Sequence, residues 1–438
     1  MERGADNWVM AKTFRPYDPE QMYLMPPSVS EWVPEGHLAR FVSDLVDAMD
    51  LSVIEGSYEE ERGYPPYHPR MMVKVLLYGY CTGTFSSRRI AGKVIDSVAF
   101  RFLAAANEPD FRTVSDFRKR HGPALTGLFG QVLKLCQKAG LIKLGRVAVD
   151  GTKIKANASK HKAMSYGRMK EKESAIKQQV RELFRRAEAV DREEDELYGV
   201  DKRGDELPEE LAHRESRLKK IQEAKAALEE EARAQALAEG KDDQKARPPD
   251  KAQRNFTDPE SKIQKTPDGF IQGYNAQLAV DQKCQIIVAQ HVTPAAPDVR
   301  ELEPAVSSIQ RAFRRKPRTI LADAGYWSQS NVETLEKKGI DPLIATGRQK
   351  HNGTIAPSPR GRPPRDLSAR QKMARKLATV AGRKSYALRK TIVEPVFGQI
   401  KHARGFRQFL RRGIRNVQEE WTLICVTHNI LKLHKALA

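Results

Sequence analysis

The chain has 438 residues, 40% hydrophobic and 30% charged, with 76 Lys or Arg against 56 Asp or Glu and a formal net charge of +20. That length can bury more than one core, and the basic excess points to a polyanionic partner, nucleic acid first, although a ribosomal or membrane-surface protein could be as basic. No run of about 18 apolar residues is present, which excludes a helical membrane span, and the four scattered cysteines have neither metal-ligand nor redox spacing.

In chain order, residues 1–125 are expected to form a helical, DNA-binding N-terminal domain. After the Pro-rich 64–70 (YPPYHPR), residues 71–80 are apolar at helical period, with Gly83 as a stop. Ser86 or Ser87 can cap a second helix over 88–95, which opens on Arg88 and Arg89, and a capping box starting at Thr113 predicts a third. Short basic helices joined by tight turns suit a helix-turn-helix-like grip on DNA or an ordinary bundle with solvated charges. Val147, Ala148 and Val149 read as a buried strand ending on Asp150.

Residues 161–250 are expected to interrupt the second domain, 126–438, as a helical insertion and linker. Leu211, Leu218, Ile221, Leu228 and Ala232 would form the apolar stripe of an antiparallel helical hairpin, broken by Lys225 and turning near 204–208. Two β-rich runs, 276–280 and 286–292, then flank a turn at 281–283. A helix over 302–313 leads to a strand, 319–323, that ends on Asp323. Another helix follows over 330–338, then a strand over 342–345, then long helices beginning near Ser368 and Glu394. This order predicts a mixed α/β sheet. Asp258, Asp268 and Asp281 read as turn residues.

Charge is unevenly placed. Residues 171–240 hold 20 acids against 14 bases, whereas residues 350–415 hold 18 Lys or Arg against only Asp366 and Glu394. The second stretch reads as a DNA-facing surface.

Two strands that deliver aspartates at their ends can bring Asp150 and Asp323 together, and two such carboxylates stay ionised cheaply only with a cation between them. Oxygen ligands suit Mg²⁺ or Mn²⁺, and two such ions can activate the attacking oxygen and stabilise the leaving oxygen of a phosphoryl transfer. Glu394, alone among bases, is the candidate third ligand. Each acid also has a plainer reading: a turn former or N-cap for the aspartates, the acid at a helix start for Glu394 before Pro395.

Several segments resemble the DDE transposases of bacterial insertion sequences: VAVDGTKIKANAS around Asp150, FIQGYNAQLAVD at 270–281, ILADAGYWS around Asp323, and YALRKTIVEPVFGQIKHARGFRQFLRRG from Tyr386. YHPRMMVKVLLYGYCTG, SSRRIA and FRTVSDFRKRH resemble that family's helical N-terminal domain. The resemblance implies an RNase H-like catalytic core over 126–438 and a catalytic, metal-binding triad of Asp150, Asp323 and Glu394. It also implies a Tyr-Arg-Glu-Lys signature in Tyr386, Arg389, Glu394 and Lys401. Arg389 stands one residue further from Glu394 than in the commonest form, leaving Lys390 as an alternative. Arg88, Arg89, Arg404, Arg407, Arg411 and Arg412 complete the basic residues expected to grip DNA, while Trp327 is a core or surface aromatic before it is a base-stacking one.

The implied reaction is nicking at the element's ends followed by attack of the freed 3′-OH on target DNA, without a covalent protein–DNA intermediate. The expected partners are double-stranded DNA and a second copy of the chain, with no membrane and no small-molecule substrate. The expected place is the bacterial cytoplasm, at the nucleoid. A non-catalytic DNA-binding relative and a simple metal-dependent nuclease are the alternatives.

Overall fold

Apolar residues at helical spacing organise the first third of the chain into helices. The computed structural model describes residues 28–58, 66–198, 209–238, 240–244, 246–347, 357–361, 364 and 366–437. Its first helices are α1 (Leu38–Asp47), α2 (Ser52–Glu55), α3 (Pro69–Cys81) and α4 (Ser87–Asp96). They are followed by α5 (Val98–Leu103), α6 (Phe111–Arg120) and α7 (Gly122–Lys138). In α3, Pro69 fills the first turn, where its missing N–H costs nothing, and the His68 side chain accepts from the Arg70 N–H. Gly83 follows in the left-handed region (φ +76°), and a Cβ there would lie 2.6 Å from the Arg404 carbonyl oxygen. The expected start of α6 at Thr113 is corrected: Asp110 is the cap, its carboxylate accepting from the Thr113 N–H at 2.6 Å.

Next come β1 (Arg146–Lys155), β2 (Ala163–Ser165), α8 (Tyr166–Tyr198), α9 (Glu209–Ala238) and β3 (Gln253–Asn255). Helices α8 and α9 form a hairpin over a small core of their own, with Met169, Ile176, Ile221 and Leu228 buried. Lys225, which seemed to break the apolar stripe, pairs across the hairpin with Glu173 at 2.8 Å. The expected turn at 204–208 and the Leu211 side chain lie outside the described residues.

The main sheet is made by β1, β4 (Lys262–Thr266), β5 (Gly269–Asp281), β6 (Ile287–Thr293), β7 (Thr319–Ala322) and β8 (Asp341–Ile344). Its order is β4-β5-β1-β7-β8, and β6 also pairs with β5. Strand β5 is antiparallel to β1 on one edge and to β4 and β6 on the other, while β1, β7 and β8 are mutually parallel. Helices α10 (Leu302–Phe313) and α11 (Gln329–Lys337) make the crossovers on either side of β7.

The chain ends in α12 (Ala369–Ala378), α13 (Val380–Gly398) and α14 (Ile414–Leu437). Ser368 and Gln371 form the capping box of α12. The expected helix start near Glu394 is corrected: α13 begins at Val380, and Pro395 lies inside it. Proline there removes the N–H that would have bonded the Thr391 carbonyl, and the Gln285 amide donates to that oxygen instead, at 2.9 Å. Helix α14 is buried almost all round, and its Trp421 donates to the Gln277 carbonyl on β5. One continuous core runs from Val33 in the N-terminal helices through the sheet to Leu433. Among the described residues no helix is long and apolar enough to cross a membrane.

His428 on α14 is wholly enclosed, between the Gln285 carbonyl (2.9 Å) and the Gln399 side chain (2.7 Å). A neutral ring that donates to the carbonyl has only a lone pair left for Gln399, which must turn its amide N–H₂ towards it. Burial holds the imidazole down at about 3. A histidine that titrates near 6.5 when unfolded therefore contributes stability above that pH, lost as pH falls towards 3. Thermal melting across pH 7 to 4 should show this loss, and His428→Gln should flatten the slope.

Candidate active site

The parallel register of β1 and β7 ends at Val149 beside Ala322, so Asp150 and Asp323 are the next residues along adjacent strands. The expectation that β1 stops at Asp150 is corrected. Pairing with the longer β5 carries β1 on to Lys155, and Asp150 is only the first residue beyond the parallel ladder. Asp323 lies just past β7 and caps a short turn, its Oδ1 accepting from the Gly325 N–H at 2.8 Å.

Asp150 accepts from its neighbour Gly151 N–H at 2.9 Å and from Arg389 Nη1 at 2.8 Å. Burial raises its carboxyl to about 6; Arg389 opposes that rise and Asp323 reinforces it. Arg389 comes from α13, and its Nε is buried without a hydrogen-bond partner. Tyr386, one turn earlier, is half-buried beside Arg389, and burial raises its phenol. After α13 the chain makes a single π turn, Gln399–Ala403. From it Lys401 donates to Thr152 Oγ1 and, at 3.1 Å, to the Lys153 carbonyl on β1. The structure thus gathers Asp150, Asp323, Tyr386, Arg389 and Lys401 around the end of the β1–β7 ladder.

Glu394 is not gathered with them. It is exposed on α13, five residues beyond Arg389 and so about 140° round the helix from it. Lys390, one turn before Glu394, is also exposed. Among the described residues no three Asp, Glu, His or Cys side chains are close enough together to hold a metal ion.

Sequence reasoning missed Asp298, on the loop between β6 and α10. Its Oδ1 accepts from Asn275 (2.6 Å), Gln277 (2.7 Å) and Lys153 (3.5 Å). The signal was in β5, where Asn275 and Gln277 put two amides on one face of a buried strand, and buried amides require partners. Asp258 and Asp281, read as turn residues, are also buried: Asp258 accepts from the Tyr274 hydroxyl and Asp281 from the Leu144 N–H.

The other basic candidates divide. Arg88 and Arg89 are exposed at the start of α4, with Arg88 lying 5.1 Å over the Phe111 ring. Arg407 and Arg412 are exposed beyond the π turn. Arg411 turns inward to Glu419 and Asn416. The expectation that Arg404 faces DNA is corrected: it is 5% exposed and donates to the Ile424 carbonyl and Thr427 Oγ1, because the π turn points it into the core.

The fold and this cluster define an α/β protein with an acidic site at the carboxyl ends of its parallel strands, overlaid by a basic helix. Residues 27–120 match the family described as Transposase domain (DUF772), and residues 242–430 match the family described as Transposase DDE domain. The chain belongs to the DDE-type transposases of insertion elements. Asp323 and Glu394 fall inside the second match and Asp150 lies before it, on the far side of the α8–α9 hairpin. No curated protein and no solved structure matches the chain.

Arg404→Ala should cost about 3 kcal/mol, because it removes a buried donor from carbonyls that no water reaches. Its melting temperature should fall, while Arg407→Ala should melt like the wild type. Equal melting of the two variants would contradict the assignment of Arg404 to the core.

Proposed function

We propose that the protein binds the ends of its insertion element and cuts and rejoins DNA at the site built around Asp150 and Asp323. The observation that carries this reading is the register that sets the two carboxylates side by side with Arg389 drawn against one of them. The sheet, with β5 antiparallel to β1 and with β1, β7 and β8 parallel, supports reading it as an RNase H-like core. The basic helices α4 and α6 would serve as a helix-turn-helix-like grip on DNA, with Arg88 and Arg89 on phosphates.

The donor set fits a hard divalent cation: two carboxylates meet in a place where burial already raises one of them, and all available ligands are oxygens. Asp150 and Asp323, joined by Glu394, would hold Mg²⁺ or Mn²⁺, expected as two ions, which when bound activate the attacking oxygen and stabilise the leaving one. The chain's own residues do the rest. Arg389 neutralises Asp150 until a DNA phosphate offers the guanidinium another partner. Lys401, held on β1 beside Thr152, places a positive charge next to the scissile phosphate, and Tyr386 can stack on or hydrogen-bond to the exposed terminus. Lys390, Arg407 and Arg412 would follow the DNA backbone outwards. Two ends must be cut and joined to one target, so a dimer on DNA is the working assembly.

A cleavage and strand-transfer assay with terminal-repeat DNA and Mg²⁺ tests this reading. Asp150→Ala, Asp323→Ala and Glu394→Ala should each lower cleavage roughly 10²- to 10³-fold or more, with DNA binding retained. Wild-type cleavage in any one of them removes that residue from the triad. Binding without cleavage by the unaltered protein would leave a non-catalytic relative, and nicking without joining would leave a nuclease.

A further inference from the structure

We propose that Asp298 is a positioning residue that aligns Asp150 and Asp323; the inference rests on the cation-binding reading above. The glycines that follow the two aspartates converge on its carboxylate. A Cβ at Gly151 would meet Gln277 Nε2 first, then Asn275 Oδ1 at 2.8 Å and Asp298 Oδ1 at 2.9 Å, the two amides that Asp298 holds and Asp298 itself. One at Gly325 would lie 3.0 Å from Asp323 Oδ1 and 3.2 Å from Asp298 Oδ2. Both chain segments therefore pass close to the Asp298 carboxylate, and a side chain at Gly151 would have to displace the Gln277 amide that Asp298 holds.

Asp298 also organises the groups behind them. It accepts from the Gln277 amide N–H₂, which leaves the Gln277 oxygen facing the Tyr326 hydroxyl, from which it accepts. Tyr326 is buried and closes the turn that Asp323 caps. Asn331 ties the same two segments a second time, donating to the Val299 and Tyr326 carbonyls at 2.7 and 2.8 Å. On the other flank Lys153, three residues beyond Asp150 on β1, reaches Asp298 at 3.5 Å. One carboxylate on a loop thus links β1, β5 and the turn after β7, the three segments that set the distance and angle between the two acids. Residues that orient ligands from behind are worth about 10- to 100-fold in metal affinity.

The test is Mn²⁺ binding to the full chain, followed by electron paramagnetic resonance, with a thermal melt of each variant. Asp298→Ala should weaken Mn²⁺ binding about tenfold or more. Asp298→Asn, which can still accept from Asn275 and Gln277, should recover most of that loss. Tyr326→Phe, which removes only the hydroxyl link to the turn, should weaken binding in the same direction and stands in if Asp298→Ala does not fold. Unchanged binding in Asp298→Ala or Tyr326→Phe overturns the inference, as does an Asn variant as weak as the Ala variant. Asp150→Asn and Asp323→Asn serve as reference: loss in these with none in the Asp298 variants rejects only this inference. If they too leave Mn²⁺ binding unchanged, the cation site itself is rejected and the inference falls with it.

Discussion

Two carboxylates released at the same level from neighbouring parallel strands repel each other in a partly dehydrated place. The fold accepts this cost because the β1–β7 ladder ends where it does, with Val149 and Ala322 as its last partners. A positive charge has to be drawn in, and Arg389 supplies it from α13. Once Arg389 points at Asp150, the face of α13 that meets the sheet is set, and Glu394 stands elsewhere on the helix. Arg389 and the buried Ile392, Val393 and Val396 thus share the side of α13 that meets the sheet, and Glu394 lies outside it.

The frame that holds this arrangement is α14. It backs β6 on one side, with Trp421 reaching the Gln277 carbonyl of β5, and meets α3 and α7 on the other, so the N-terminal helices and the acidic sheet share one core. Arg404 closes this junction by donating to the Ile424 carbonyl and Thr427 Oγ1 of α14 while its own carbonyl crowds Gly83. A basic residue within a stretch expected to face DNA is therefore committed to the interior. The excess positive charge of residues 350–415 serves two tasks, and only part of it is available at the surface.

The elements with a strong period were legible: Leu302–Phe313 in α10 and the apolar run that became β7 were read to within a residue. The misreadings have particular causes. The length of β1 is decided by its partner β5, which no local pattern in residues 147–155 announces. Pro395 marked a helix boundary by its usual preference, yet a side chain from the β5–β6 turn took over the orphaned carbonyl and let α13 continue. Arg404 and Arg407 look alike in the sequence, because the π turn breaks the helical period that would have separated them. Asp298 sits in a loop far along the chain from its partners, so only the buried amides of Asn275 and Gln277 hinted at it. In the site, then, the neighbouring aspartates were readable from strand ends, and the buried polar partners behind them were not.

How Arg389 and Glu394 share one helix bears on the chemistry proposed for it. Ile392, Val393 and Val396 are buried and pin α13 to the sheet. Turning the whole helix to present Glu394 would expose these three side chains, at about 1.5 to 3 kcal/mol for each one fully exposed. A side-chain exchange is far cheaper. Arg389 is long enough to leave Asp150 without moving its backbone, and DNA brings the phosphates that would compensate it. Its departure alone would leave Asp150 and Asp323 with their repulsion unrelieved, which is the condition under which a divalent cation binds most favourably. In the proposed chemistry, arrival of the polyanion and readiness of the aspartate pair are thereby coupled through one guanidinium, whereas bringing Glu394 to that pair would still require its stretch of α13 to turn.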